Sequence, residues 1–380
     1  MFAIHGFMGG TWVAQIPWAQ TELHVSNTEI GFALLFNAMG ALIAMPLVGQ
    51  ALTRIPSRRL VRVAALTWTL TLPLPLLAPS ALALAAALLL FGALAGSLDV
   101  AMNAHGIGVE RAMGRPIFSS LHGFWSVGSL GGASVVAVAT GLGVDPRVEA
   151  LAVAAGLWLL AFVATSRIGD VARPADAITT RIVLPSRAVL PLGLLVFAVL
   201  IVEGGVGDWS GIYLRRTLGA GPELGAAAYA AYALGITIGR LGGDELNRRM
   251  GAGRLLQVGM ALLAIALGIL LVFGQPIIAI VGLVVVGVGV GNAIPLLFRA
   301  GGLVPPAGPS LSAVFTMGYA GFVAGPPILG FLADRLGLPV ALGLLAIISA
   351  LVALVVRRAP GVETEPGRET LHETIAPSVP

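Results

Sequence analysis

The sequence predicts an all-α membrane protein: twelve transmembrane helices in two six-helix bundles related by a pseudo-twofold axis. Three observations carry this expectation: an apolar composition, the spacing of the apolar stretches, and an internal repeat at a fixed offset. Of the 380 residues, 57% are hydrophobic and 11% charged, and the mean hydropathy is +0.95, far outside the range of soluble domains. No cysteine is present, which excludes disulfides, thiol catalysis and cysteine-bound metals. All 22 basic residues are arginine and the formal charge is only +4, so a nucleic-acid partner is not indicated.

About 20 apolar residues are needed to cross the hydrocarbon core as a helix. Charged or Pro/Gly-rich connections divide the chain into twelve such spans. The first, 2–20, lacks a basic leading region and a small-residue cleavage site, so it reads as a membrane helix and not a signal peptide. Either there is practically no amino-terminal tail or the true start lies further upstream. Spans 29–51 and 60–78 flank the connection carrying Arg54, Arg58 and Arg59, and 81–104 ends before Arg111 and Arg115. Spans 117–142 and 148–166 complete the first half. Residues 167–188 are the longest polar stretch before the tail and separate an amino-terminal bundle, 1–166, from a carboxy-terminal bundle, 189–356. The latter contains spans 189–213, 224–246, 253–273, 276–298, 310–332 and 338–356. Residues 357–380 form a tail rich in Pro, Thr and Glu that is expected to be disordered and cytoplasmic.

Basic residues gather in cytoplasmic connections. With the amino terminus inside, eighteen arginines fall on the inner side and four, Arg147, Arg215, Arg216 and Arg335, on the outer side. This expectation places both termini in the cytoplasm and the chain in the cytoplasmic membrane. The halves also repeat: Gly40, Arg54 and Arg59 map onto Gly235, Arg249 and Arg254 at a constant offset of 195, with Trp12 falling near Trp209. Secondary transporters are commonly built from such repeats, with the binding site between the halves near the midplane.

The connection "GQALTRIPSRR" resembles the Gly-x-x-x-Asp-Arg-x-Gly-Arg-Arg loop of the major facilitator superfamily. Gly49, Arg54 and Arg58 match, whereas Thr53 replaces the acid, Pro56 the second glycine and Ser57 the first closing arginine. The second-half copy, "GRLGGDELNRRMGAGR", is also degenerate. Within the superfamily, "QIPWAQ", "LDVAMNAHGIGVER", "SSLHGFWSVGSLGG" and "GDWSGIYLRRTLG" are most similar to the fucose-permease-like branch, which includes bypass-of-stop-codon-type proteins. The resemblance implies alternating access by a monomer, usually driven by protons, with a small-molecule substrate and no cofactor. The drug antiporters' arginine in helix four and Gly-Pro signature in helix five are missing. Asp99 stands in helix four, helix five runs "GSLGGAS", and "GFVAGPPILG" occurs in helix eleven.

An ionisable group inside a membrane is a functional candidate. Glu203, in "VLIVEGGVGDWS", is the foremost candidate for proton coupling, because low dielectric disfavours a charged carboxylate and suits uptake and release of a proton. His122, in "SSLHGFWSVG", is the second, since histidine titrates near physiological pH. His5 is given less weight because it lies so near the chain start, and Asp208 is assigned to the outer mouth of helix seven. Substrate-cavity candidates are the amide and aromatic residues Trp12, Gln15, Asn37, Trp125, Trp209, Tyr232, Asn292 and Tyr319.

Asp99, Asn103 and Glu110 fall on one helical stripe, with His105 pointing elsewhere. The expectation is that Asp99 pairs with Arg54, Arg58 and Arg59 as a cytoplasmic gate in the outward-facing state. Arg240 and Asp244 join the gate candidates near the inner end of helix eight. That placement leaves no arginine at central depth, and arginine is the usual partner of an anion, so a neutral sugar or polyol, or a cation, is the expected substrate. No metal-ligand cluster, nucleotide loop or Ser/His/Asp set is found, so an enzyme is not expected.

Overall fold

A computed structural model describes residues 1–115, 117–169, 171, 187 and 189–362, so Arg173, Arg181 and the tail with Arg368 lie outside the described residues. Among the described residues there are fourteen α-helices and no strand. In the first half they are α1 Phe2–Glu22, α2 Asn27–Ala51, α3 Ser57–Thr69, α4 Pro73–Leu76, α5 Ala81–Met113, α6 Phe118–Gly141 and α7 Pro146–Ser166. In the second they are α8 Leu190–Ile212, α9 Pro222–Met250, α10 Ala252–Phe273, α11 Pro276–Val290, α12 Ala293–Leu303, α13 Ala307–Leu336 and α14 Leu338–Val355.

Proline and glycine set where these helices depart from the expected spans. The third span breaks into α3 and α4, because Pro73 and Pro75 bring no backbone N–H and a proline ring collides with the carbonyl four residues back. The tenth breaks at Gly291–Asn292 for the same reason, Pro295 standing four residues beyond Gly291. The fourth is longer than expected. It runs to Met113 and stops at Gly114, whose φ of 62° is a left-handed cap that glycine adopts without steric cost.

Ten of the described helical segments are long and apolar enough to cross a membrane. Of the two expected crossings that fall short, α3 is only 13 residues long. The other, α1, is long enough but less apolar, and it is surrounded: His5, Thr11, Gln15 and Gln20 lie against neighbouring helices. Elsewhere the outward faces leave Leu82, Leu142, Leu241 and Val272 bare, which suits a hydrocarbon surround.

Helix pairing repeats between the halves. In the first half α1 packs on α6, α2 on α5, and α3 on α5 and α7. In the second α8 packs on α13, α9 on α11, and α10 on α11 and α14. The match extends to individual atoms at the offset of 195. A Cβ on Gly40 would strike the Leu89 carbonyl and one on Gly235 the Val284 carbonyl. A Cβ on Gly92 would strike the Asn37 carbonyl and one on Gly287 the Tyr232 carbonyl. Both crossings need glycine because backbone meets backbone there. The repeat seen in the sequence is therefore a repeat in packing.

The halves meet along α2–α13 and α6–α9. Close approaches gather at the end that carries the 23–26 and 337 connections. There the backbone N–H groups of Asn27 and Thr28 donate to the Asp334 carboxylate at 3.0 and 2.7 Å, Arg216 donates to the Val25 carbonyl at 3.3 Å, and Gly31 meets the Pro326 carbonyl. Ala14, Ala133, Val136 and Ala226 form a small apolar seam nearby.

Candidate functional site

Glu203 lies beyond the middle of α8, a helix otherwise made almost wholly of apolar residues and glycine up to that point. The glycines that follow it give room to neighbouring side chains. Phe322 of α13 packs on Gly204, and Leu329 and Leu345 of α13 and α14 pack on Gly205. On α9, Tyr232, Ile236 and Arg240 share one face at four-residue spacing. The Tyr232 hydroxyl donates to the Glu203 backbone carbonyl at 3.2 Å, which registers α9 against α8.

Arg240 is held from three sides. Its Nε donates to the Gly291 carbonyl at 3.1 Å. That carbonyl is available because the residue four ahead, Pro295, has no N–H to offer it. Its Nη1 donates to the Ser126 hydroxyl at 2.8 Å, across to the other half of the molecule. Its Nη2 lies 4.0 Å from Glu203 Oε1, an ion pair too long to be a hydrogen bond. The guanidinium also sits 5.8 Å from the centre of the Trp125 ring. Both members of the pair keep about a quarter of their side-chain surface open, 23% for Arg240 and 24% for Glu203.

Around this pair the polar network continues. Trp125 Nε1 donates to His5 Nδ1 at 2.9 Å, and His5 Nε2 lies 3.3 Å from the Ala95 carbonyl. With Nδ1 accepting and Nε2 donating, this network selects the neutral tautomer of His5. A second link between the halves joins Ser129 Oγ and the Tyr229 hydroxyl at 3.1 Å. The pair is thus set where α1, α6, α8, α9 and the break between α11 and α12 converge.

The most consequential correction concerns Arg240. Expected near the inner end of its helix, it stands beside Glu203 of α8, so an arginine does neighbour the mid-helix acid. The misplacement has a simple cause: α9 runs 29 residues, to Met250, so its charged end projects well past the depth of Arg240. The argument against an anionic substrate falls with it.

The cavity candidates divide. Trp12 and Trp209 are packed to 2% and 1% exposure, and Tyr232 to 1%. Gln15 is also buried, and its amide donates to the buried Glu149 at 2.8 Å. These four are packing groups in this conformation. Trp125, Asn37, Asn292 and Tyr319 remain partly open. Asn292 donates to the Gly239 carbonyl at 2.8 Å and so fixes the start of α12 on α9. His122 meets Phe2 edge-on with ring centres 5.2 Å apart. Asp208 is half-buried in the last turns of α8.

The gate candidates are rearranged as well. Asp99 accepts a hydrogen bond from Asn103 at 3.0 Å and faces inward, within charge-interaction range of His5, His122 and Tyr319. Arg54, Arg58 and Arg59 are exposed and form no ion pair with it in this conformation, the pairing being expected of the outward-facing state. The residue of α5 that reaches the start of α3 is His105, whose Nδ1 lies 2.9 Å from Ser57 Oγ. Six residues separate 99 from 105, about 240° around a helix, so the two cannot share a face. Glu110 accepts from the Ile117 N–H at 2.8 Å across the turn between α5 and α6. Asp244 is exposed.

Three residues of these networks were missed or underweighted in the sequence: Glu149, Tyr229 and His5. Glu149, at the start of its helix, reads as a solvated first-turn acid. Tyr229 carries no motif. His5 is discounted by position alone, although its place in the first turns of a helix with buried polar groups is a usable signal.

The family profile described as Major Facilitator Superfamily matches residues 1–310. An uncharacterized MFS-type transporter of Yersinia pestis is 34% identical over 355 residues, 93% of this chain and 92% of the relative. An uncharacterized transporter of Sinorhizobium fredii is 32% identical over 93% of this chain and 94% of its own length. The membrane protein MosC of Rhizobium meliloti is 27% identical over 93% and 86%. Among solved structures, the nucleoside transporter NupG superposes with a TM-score of 0.71 at 13% identity, covering 94% of this chain and 96% of that one. A bacterial homolog of the human lysosomal transporter Spinster does so at 0.72 and 13%, covering 94% and 95%. The profile match and the relatives above 30% identity over most of the chain make this multi-pass membrane protein a transporter of the Major Facilitator Superfamily.

Proposed function

We propose that this chain is a proton-coupled secondary transporter that moves a small, hydrophilic, polyhydroxylated solute by alternating access. In this reading twelve crossings form two six-helix bundles, 1–166 and 189–356, joined by the 167–188 connection. Both termini are cytoplasmic, the membrane is the cytoplasmic membrane, and a monomer is the working unit. The motifs keep the fucose-permease-like branch as the preferred place within the superfamily. Glu203 is the proton carrier, and Trp125, Asn37, Asn292 and Tyr319 are the groups available to the solute.

One observation carries the reading: the half-open pair of Glu203 and Arg240, bridged by Ser126 to the opposite half. A carboxylate facing a guanidinium across a gap is stable charged, and protonation leaves the arginine uncompensated in a low dielectric. A change of charge at this point therefore acts on the contact between the halves, which is what coupling needs. The closed end with Asp334 is the extracellular side, so the site opens to the cytoplasm in this conformation.

Proteoliposomes under an imposed pH gradient test this. Wild-type protein accumulates solute against its gradient. Glu203→Gln loses accumulation and keeps exchange of labelled for unlabelled solute. Equal accumulation by both would make Glu203 structural and put the coupling at another group or another ion, whereas exchange without accumulation by either would make the protein an uncoupled facilitator.

A further inference from the structure

We infer that the transported solute carries an anionic group, a carboxylate or a group of similar charge, which binds Arg240 when Glu203 is protonated. This rests on the proton-coupled reading above and goes beyond it in naming the charge of the substrate and the residues that hold it.

The anchoring of Arg240 is the first ground. Two of its donor positions are taken by neutral acceptors, the Gly291 carbonyl and the Ser126 hydroxyl. Neither cancels its charge, but together they fix the plane and leave the Nη2 edge turned to Glu203. Glu203 compensates the charge across 4.0 Å without making a hydrogen bond. A planar, pre-oriented guanidinium with an unfilled edge is the preferred partner of a carboxylate. Both side chains are partly open, so the gap is reachable from the space between the halves.

The anchor is also built into the backbone. Pro295 frees the Gly291 carbonyl from its helix, and Arg240 uses that carbonyl. Pro295 is thus a positioning residue that acts on substrate through Arg240.

Charge balance then selects the solute. Around the pair of Glu203 and Arg240 the charged and titratable groups are Tyr229 and Tyr232 of α9, Asp208 of α8 and, from the other half, His122 of α6 with Asp99 of α5 beyond it. From α13 and α14, Phe322, Leu329 and Leu345 pack on the adjacent glycines. Protonation of Glu203 therefore leaves Arg240, whose hydrogen-bond partners are both neutral, without its paired carboxylate. An anion entering with the proton restores neutrality, and the loaded site crosses with no net change of charge. A neutral solute leaves the proton's charge uncompensated, and a cation meets the guanidinium head-on.

The test uses the full chain in liposomes with a pH-sensitive dye inside and acids paired with neutral analogues of similar shape: gluconate with sorbitol, glucuronate with glucose, lactate with propane-1,2-diol. At least one acid is expected to carry protons into the vesicle, equally well with the membrane potential clamped at zero, and its neutral partner to do so at least tenfold less. Arg240→Gln loses acid transport and Arg240→Lys keeps a fraction. Pro295→Ala raises KM several-fold with a small change in maximal rate, and it decides the matter if Arg240→Gln does not fold. Transport of none of the acids, equal transport of acid and neutral partner, or an acid KM unchanged in Pro295→Ala together with undiminished uptake in Arg240→Gln overturns the anion assignment. Acid uptake that depends on Arg240 but moves no protons upholds the anion site and overturns the proton-coupled reading instead.

Discussion

At the scale of single residues, several of the polar groups inside this protein are tied to a partner on another helix. Glu149 is 5% exposed and accepts one hydrogen bond, from Gln15; its Oε1 has no partner among the described residues. Leaving a buried carboxyl without its donor costs about 1–3 kcal/mol. Gln15→Leu is therefore expected to lower stability by about that amount, whereas Glu149→Gln, which keeps an acceptor for the Gln15 amide, is expected to be nearly neutral. Thermal unfolding of detergent-solubilised protein, followed by circular dichroism, separates the two. The same scale contains the pairing of Trp125 with His5. Because His5 must accept there, Trp125→Phe removes the interaction that fixes its tautomer without adding volume.

At the scale of elements, glycine and proline do most of the specifying. Gly92 and Gly287 occupy equivalent crossings, α5 against α2 and α11 against α9, where a Cβ would meet a backbone carbonyl. Neither carbonyl can yield without moving its helix. Gly92→Ala and Gly287→Ala are each expected to cost about 1–3 kcal/mol by overpacking. Gly156→Ala and Gly268→Ala are the controls, since nothing lies within 4 Å of a Cβ at either site. Their unfolding temperatures should stay at or above that of the wild type, because alanine favours a helix over glycine by about 1 kcal/mol. Equal losses at all four positions would show that the clash geometry is not what these glycines serve.

For the whole molecule, the issue is what keeps one end shut. Helix α2 begins with a capping box: Ser26 Oγ accepts from the Glu29 N–H, and the Glu29 carboxylate accepts from the Ser26 N–H. The next two free N–H groups, of Asn27 and Thr28, are satisfied by Asp334 from the other half. A hydrogen bond to a charged group contributes about 1.5–3 kcal/mol, and about 1.4 kcal/mol is a tenfold change in a two-state population. Asp334→Ala is thus expected to raise the population open at this end by about tenfold or more. The chain has no cysteine, so a single Ala226→Cys in the buried seam between the halves reports it. Its maleimide labelling rate should rise on adding Asp334→Ala and remain slow in the parent; an unchanged rate removes Asp334 as a latch.

The sequence by itself determined the class, the apolar helical stretches and the repeat. Twenty-residue apolar stretches separated by arginines can do little but cross a bilayer as helices, and an offset of 195 that relates Gly40 to Gly235 is a property of the chain alone. Glu203 stands out for the same reason, as an acid preceded only by apolar residues and glycine in its helix. Tertiary structure alone decided the depth and partners of the polar groups. Arg240 reads as a residue of its helix end and Asp99 as a neighbour of the arginine loop, because sequence gives distance along a helix but not which helix lies across from it. The path of α9 past the break at Gly291, and the 240° that separate Asp99 from His105, set one beside Glu203 and turned the other toward His5 and His122. A carbonyl released by Pro295 has no signature until the helix that uses it is packed beside it.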